Sequence, residues 1–291
     1  IDEYLNTNIY LKYECFQKSG SFKARGAVNN IISSSKNELQ NGITAVSAGN
    51  HAIATSYVSS IFNLKNKIFL YDSANSYRVE ACKNYNANIL FTNANLAFEE
   101  VKNAEKEGYK FIHPFDGPYT LQGSGTLGLE IINQIKELNV RIDNVLISVG
   151  GGGLISGVGA ILKQEFPNIK LIGIEPDKAK GMTDSLKKNS PLEKVDINSM
   201  ADSLSAPLHM PYSFSIAKQV IDTMINVSDD EMISSMLYAF NNLKMFLEPA
   251  CVAGFAALKY YLKSEFYNQN TLVLLCGSNI DYLSWKNIVK D

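Results

Sequence analysis

Apolar and polar positions along the chain follow two periods that take turns. Residues 8–14 alternate with a period of two in β-prone residues, which predicts a strand leading into a small-residue loop. Residues 24–35 then read as a helix. A strand over 42–47, a turn at 48–51 and a helix over 52–62 with apolar residues at helical spacing follow. The unit recurs with a strand at 67–71 before a helix over 78–85, and a strand at 89–91 before a helix over 96–108. Beyond a turn at 114–118, Gly123-Ser124-Gly125-Thr126 reads as a helix entry, and apolar strands follow at 144–149, 170–174 and 271–275. Strands that alternate with helices predict a parallel, doubly wound α/β fold. No repeat of fixed period interrupts it.

Composition narrows the partners. With 291 residues, 46% hydrophobic and 19% charged, the chain can bury one large or two modest domains. The formal net charge of -2 comes without a long run of either sign, so no basic face for nucleic acid or anionic lipid is advertised. A small-molecule partner is expected. Cys15, Cys82, Cys251 and Cys276 lack zinc-like spacing and suit a reducing, cytoplasmic setting. No apolar window reaches the roughly 18 residues of a membrane span, and no signal-peptide pattern is seen. The chain begins at Ile1 rather than at a methionine, which leaves any preceding segment open.

Three stretches near strand ends carry the chemistry. In Lys18-Ser19-Gly20-Ser21-Phe22-Lys23-Ala24-Arg25-Gly26-Ala27, Lys23 stands among Ser21, Phe22 and small residues, where desolvation disfavours the charged amine and makes it a candidate imine-forming group. The plain alternative is a surface lysine at a helix start, with Ser19 or Ser21 as the N-cap. In Val149-Gly150-Gly151-Gly152-Gly153-Leu154, four glycines after a buried strand leave backbone N–H groups unshielded at the positive end of the next helix, which suits a phosphate. The alternative there is a flexible turn. Gly151-x-Gly153-x-x-Ser156 also comes within one residue of a dinucleotide fingerprint, with Glu175 about 20 residues on, so an NAD-dependent dehydrogenase stays open. That reading leaves Lys23 and the turn Ser47-Ala48-Gly49-Asn50-His51 without a purpose. The turn offers backbone donors and an amide for a carboxylate or ring oxygen, or is a plain Asx-type turn.

Together, Ser21-Phe22-Lys23-Ala24-Arg25-Gly26, the Ala48-Gly49-Asn50-His51 turn, the tetraglycine and a terminal Cys276-Gly277-Ser278-Asn279 turn resemble the pyridoxal-phosphate enzymes of the tryptophan-synthase β fold (fold type II). Within them the chain resembles the threonine/serine dehydratase and serine racemase branch, from Asn8 to Asn279. Ala24 and His51 stand where cysteine and threonine synthases of that fold usually carry an aspartate and a threonine. The resemblance implies two domains, each an open parallel-type sheet flanked by helices, with the cofactor in the cleft between them. Residues 1–41 and 118–291 would form the larger cofactor-binding domain, and 42–117 the smaller, mobile domain that closes on the substrate.

Roles follow from the same resemblance. Lys23 would hold pyridoxal 5'-phosphate as an internal Schiff base and then act as the catalytic base. Phe22 would pack near the ring, Asn50 would hydrogen-bond its 3-oxygen, and Gly150, Gly151, Gly152 and Gly153 with Leu154 would hold the phosphate. Cys276 would face the pyridine nitrogen as a weak neutral partner, leaving a weaker electron sink that favours prompt loss of a β-substituent. Ser47, Ala48, Gly49, Asn50 and His51 would form the loop on the substrate carboxylate; the alternative for His51 is a helix-start residue facing solvent. Racemases of the branch place a serine at Ala48, and alanine has no proton to give. The implied activity is β-elimination from L-threonine or L-serine to a 2-oxo acid and ammonia, as in the short catabolic threonine dehydratases. A serine racemase, another amino-acid lyase of the family and a catalytically dead homologue that only binds a ligand are the alternatives. A homodimer or homotetramer is implied, and the short tail after Leu275 leaves no room for an appended regulatory domain.

Two departures qualify the pattern. Members that bind a divalent ion use the glutamate of Glu175-Pro176, a carbonyl at Ala179 and a carboxylate where this chain has Gly181, so no metal is expected. Ala201-Asp202-Ser203 stands for the usual Ala-Asp-Gly. Glu248-Pro249 matches a pair near the cofactor, or is a helix-starting pair and no more.

Overall fold

The structure, a computed structural model, describes residues 8–47, 49–93, 96–261 and 266–290. Ala48, on which the choice of elimination over racemisation rests, lies outside the described residues. The strands are β1 (Ile9–Tyr13), β2 (Ile43–Ser47), β3 (Asn66–Tyr71), β4 (Ile89–Thr92), β5 (Lys110–Phe111), β6 (Asn144–Ser148), β7 (Lys170–Pro176), β8 (Thr223–Val227) and β9 (Thr271–Leu275). The helices are α1 (Lys23–Ile32), α2 (Asn50–Ile61), α3 (Ser76–Lys83), α4 (Ala97–Lys106), α5 (Pro118–Leu138), α6 (Gly153–Glu165), α7 (Gly181–Lys188), α8 (Pro211–Val220), α9 (Asp229–Tyr238), α10 (Pro249–Tyr260) and α11 (Tyr282–Ile288).

Two parallel sheets result, one of five strands in the order β1-β9-β6-β7-β8 and one of four in the order β4-β3-β2-β5. In the larger sheet the inner strands β6 and β9 are buried throughout, as the unbroken apolar runs Val145-Leu146-Ile147 and Leu272-Val273-Leu274-Leu275 require when helices cover both faces. No described helix is long and apolar enough to cross a membrane.

Three differences from the sequence reading have physical causes. Helix α2 opens at Asn50, two residues early, because the Gly49 N–H is taken by Ser47 Oγ (3.0 Å) and closes the turn before it. Helix α5 opens at Pro118, a favoured first-turn residue, so Gly123 and Gly125 lie inside it rather than at its entry. A Cβ on Gly123 would fall 2.5 Å from the Arg25 carbonyl, and one on Gly128 would fall 2.9 Å from Ile161 Cβ. These glycines let α1 and α6 press onto α5. The short β5 and the half-exposed edge strand β8 carry too little apolar pattern to announce themselves.

Candidate active site

The amine of Lys23 is held by supports on every side. Gly20 adopts φ 71°, and a Cβ there would lie 2.4 Å from Asn279 Oδ1. The loop is tied to the turn after β9: the Phe22 N–H donates to the Cys276 carbonyl (3.0 Å) and the Ser278 N–H to the Gly20 carbonyl (2.9 Å). Arg25 donates to both oxygens of Glu14 (2.7 and 2.8 Å) and to Glu130 (2.8 Å), which pins the start of α1 to the end of β1 and to α5. Phe22, not a serine, occupies the N-cap position, and the Ser19 and Ser21 hydroxyls are buried without a hydrogen-bond partner.

Lys23 Nζ donates to the Pro114 carbonyl (2.5 Å) and lies 4.9 Å from the centroid of the Phe22 ring. Enclosure by protein desolvates it and lowers its pKa to about 8. The turn that presents Pro114 is shaped by His113, whose Nδ1 accepts the N–H groups of Phe115 (3.3 Å) and Asp116 (2.9 Å). Burial holds that imidazole neutral, with its pKa at about 4.

Opposite the amine, Gly150 to Leu154 line the cleft where β6 passes into α6. The N–H groups of the first helical turn have no acceptor within the helix, and the helix dipole adds positive potential. Gly152 has φ 91°. A Cβ on Gly151 would meet the Phe115 ring at 2.2 Å, and one on Gly153 would meet the Phe115 carbonyl at 2.5 Å. Side chains are excluded there, and a phosphate is what such a cradle fits.

The third wall comes from the four-stranded half. Asn50 Nδ2 donates to Glu248 Oε1 (2.7 Å) and to Ser203 Oγ (3.2 Å), while its Oδ1 accepts from Asn279 Nδ2 (2.6 Å). His51 is only 3% exposed, which excludes the solvent-facing alternative. Its Nε2 donates to the Ile112 carbonyl (2.7 Å), and burial drops its pKa to about 3. The imidazole is therefore neutral at the pH of ordinary work. Cys276 also lines the cleft, its thiol donating to the Ala250 carbonyl (3.7 Å). Glu248 precedes Pro249 at the start of α10 yet caps nothing with its side chain; the carboxylate is buried in the cleft wall. Burial pushes its pKa up, against the pull of Arg78.

Sequence reasoning missed Arg78, and it read Asn279 only as part of the terminal turn, with no role of its own. Arg78 is 5% exposed and reaches from α3 to Asp202, to Glu248 and to the Asn279 carbonyl. A signal existed. Of the chain's 27 basic residues only Arg25, Arg78 and Arg141 are arginines, and arginine is the choice wherever a planar fork must be held by carboxylates.

Around Glu175 the residues do not fit a hard cation. Its oxygens accept the Met182 N–H (2.9 Å), the Thr183 N–H (2.8 Å) and the Asn226 amide (3.2 Å), so the carboxylate caps α7. A Cβ on Gly181 would lie 2.7 Å from His209 Nε2, which leaves no space for a carboxylate ligand. Glu175 is likewise no ribose acceptor, and the dinucleotide alternative falls with it.

Fold and cleft place the chain among α/β proteins that grip a phosphorylated small molecule beside a buried amine. Residues 1–277 match the family described as pyridoxal-phosphate dependent enzymes, and the chain belongs to that family. A phenylserine dehydratase from Ralstonia pickettii is 38% identical over 94% of this chain and 84% of its own length. The biosynthetic L-threonine dehydratase of Haemophilus influenzae is 33% identical over 97% of this chain, which spans 55% of that longer relative. Among solved structures, the T.th. threonine deaminase superposes with a TM-score of 0.89 at 30% identity, covering 97% of this chain and 90% of its own. A maize serine racemase gives 0.90 at 29% identity, covering 99% and 89%.

Proposed function

We propose that the protein catalyses β-elimination of water from a β-hydroxy α-amino acid, with L-threonine or L-serine as substrate, to give a 2-oxo acid and ammonia. One observation carries the reading: the Lys23 amine, with its pKa lowered to about 8, and the glycine backbone of Gly150 to Gly153 line one cleft. The dehydratase names of the relatives support the reaction type. Bound there, pyridoxal phosphate supplies an electron sink conjugated with the substrate's α-carbon.

The chain's own residues do the rest. Gly150 to Gly153 and the Leu154 amide would hold the cofactor's phosphate. Lys23 would anchor the cofactor and hold the α-proton at Nζ as the base; an amine with a pKa of about 8 can both accept and return it. His51 and His113 are neutral and add no competing positive charge beside it. Ser47, Gly49, Asn50 and His51 line the wall that receives the carboxylate, and residues 42–117 act as the unit that closes and excludes water. Cys276, which lines the same cleft, would offer the cofactor's ring nitrogen a weak hydrogen-bonding partner in place of a carboxylate.

Racemisation is the second reading, because serine racemases are among the structural neighbours. Ala48 argues against it, since alanine offers no proton to the opposite face. The test is the absorption spectrum of the protein with pyridoxal phosphate, before and after L-threonine, L-serine or phenylserine, beside Lys23→Ala. The expected result is a visible band in the parent that responds to substrate, with release of 2-oxo acid, and no turnover in the variant. D-serine as the main product from L-serine would overturn elimination, and failure to bind the cofactor would overturn the site.

A further inference from the structure

The cleft's polar wall is organised by a residue that none of the chemistry above uses. Arg78 comes from α3, on the four-stranded half, and the partners named here all come from the other half. Its Nε donates to the Asn279 carbonyl (3.1 Å), its Nη1 and Nη2 to the two oxygens of Asp202, and its Nη2 lies 3.6 Å from Glu248 Oε2. The guanidinium also underlies the turn after β2, since a Cβ on Gly49 would fall 2.8 Å from Arg78 Cζ. One planar group thus touches the turn at Gly49, the Asp202–Leu204 turn, the start of α10 and the turn after β9.

The route from Arg78 to the reacting region runs through Glu248. Oε2 of that carboxylate faces Arg78 and accepts the Asn279 N–H (3.3 Å), and Oε1 accepts Asn50 Nδ2 (2.7 Å). With Asn50 Oδ1 taken by Asn279, the amide can face only one way, and its second N–H is directed to Ser203 at the cleft surface. A buried carboxylate without its cation takes up a proton, and a protonated Glu248 would present Asn50 with a changed acceptor. The groups around Glu248 are Arg78 from α3, Asp202 from its turn, Asn50 from α2 and Asn279 after β9; of these Arg78 carries the positive charge.

We propose that Arg78 is a positioning residue of this site: across the cleft it fixes the orientation of the Asn50 amide through Glu248, and it holds the Asp202–Leu204 turn against the wall that receives the substrate carboxylate. The inference rests on the reading of the cleft as a pyridoxal-phosphate elimination site. Asn50 is the group that would meet the cofactor's 3-oxygen, so a misdirected amide alters both the bound cofactor's absorption and the rate.

The experiment uses the cofactor-loaded protein with Arg78→Met, Arg78→Lys, Glu248→Gln and the Arg78→Met/Glu248→Gln pair. Each is read by the pH dependence of the cofactor band without substrate, by kcat and KM for L-threonine, and by thermal melting. In Arg78→Met, kcat/KM should fall roughly a hundredfold, as befits removal of one partner of a buried ion pair. Its cofactor band should show a pH-dependent transition, from titration of Glu248, at higher pH than any in the parent, because the cation that opposes the effect of burial is gone. Arg78→Lys should recover part of the rate and move the transition back toward the parent's, and the double variant should lose the transition because glutamine does not titrate. A lowered melting temperature with the parent's spectrum and pH profile would make Arg78 a brace and overturn the proposal. So would the transition persisting in the double variant. A parent that binds no cofactor overturns the underlying reading instead, and with it this one.

Discussion

Two turns in this molecule have the same local grammar and opposite uses. After β6 the chain runs through Gly150-Gly151-Gly152-Gly153 into α6, and after β2 it runs through Gly49 into α2. Both are strand, glycine turn, helix start. In the first, side chains are excluded, and the N–H groups of the first turn have no acceptor within the helix. In the second, Asn50 and His51 fill the helix start with side chains, and each is fixed by a partner from elsewhere, Glu248 and the Ile112 carbonyl. The first presents backbone alone. The second positions an amide by means of buried charges, and its geometry depends on distant residues.

The comparison breaks first at the glycines. Gly153→Ala puts a methyl 2.5 Å from the Phe115 backbone carbonyl, and backbone cannot step aside. The expected cost is about 3 kcal/mol of stability, with cofactor binding lost to spectroscopic titration. Gly49→Ala meets a side chain instead, 2.8 Å from Arg78 Cζ, and the guanidinium can give way only by loosening its bonds to Asp202 and the Asn279 carbonyl. Its expected cost is about 1 kcal/mol, with the cofactor still bound but turnover reduced. Equal losses in the two variants, measured by denaturant unfolding and cofactor titration, would show that the two turns are not built differently.

The next effect concerns the amine between them. Lys23 has its pKa lowered from 10.5 to about 8 by desolvation, and only the unprotonated amine attacks an aldehyde. The rate at which cofactor-free protein takes up pyridoxal phosphate should therefore rise with pH and level off with a midpoint near 8. The sign follows from the direction of the shift: burial disfavours the charged form, so the reactive form appears at lower pH than for a free lysine. A midpoint at the 10.5 of an ordinary lysine would mean that the pocket does not desolvate the amine.

What could be read without the structure divides along the same line. Lys23, the tetraglycine and the parallel sheets were legible because each depends on neighbours in sequence: a glycine run, an apolar strand, a helix start. The partners of Asn50 were not. Glu248 and Asn279 lie 198 and 229 positions away, and no local pattern pairs them with an amide. His51 looked equally suited to solvent because its acceptor, the Ile112 carbonyl, is backbone and has no side-chain signature. Arg78 could have been suspected only from the scarcity of arginine in a lysine-rich chain. Long-range polar networks are written in three dimensions, and a single sequence shows their members but not their pairing.

The finest test of the contrast is Ser203. Its hydroxyl accepts Asn50 Nδ2 at 3.2 Å and donates to Asp202 Oδ1 at 3.3 Å, two long bonds beside the shorter 2.7 Å bond from Asn50 to Glu248. If Glu248 governs the amide, Ser203→Ala removes a minor acceptor whose place water can fill at the cleft surface. The expected change is then within about 1 kcal/mol, seen as no more than a few-fold change in KM for L-threonine with kcat and the cofactor band held. A large fall in kcat with a shifted band would transfer control of Asn50 from the buried carboxylate to the surface hydroxyl. The second turn would then be set from the cleft mouth, and its dependence on Arg78 would be weaker than the network implies.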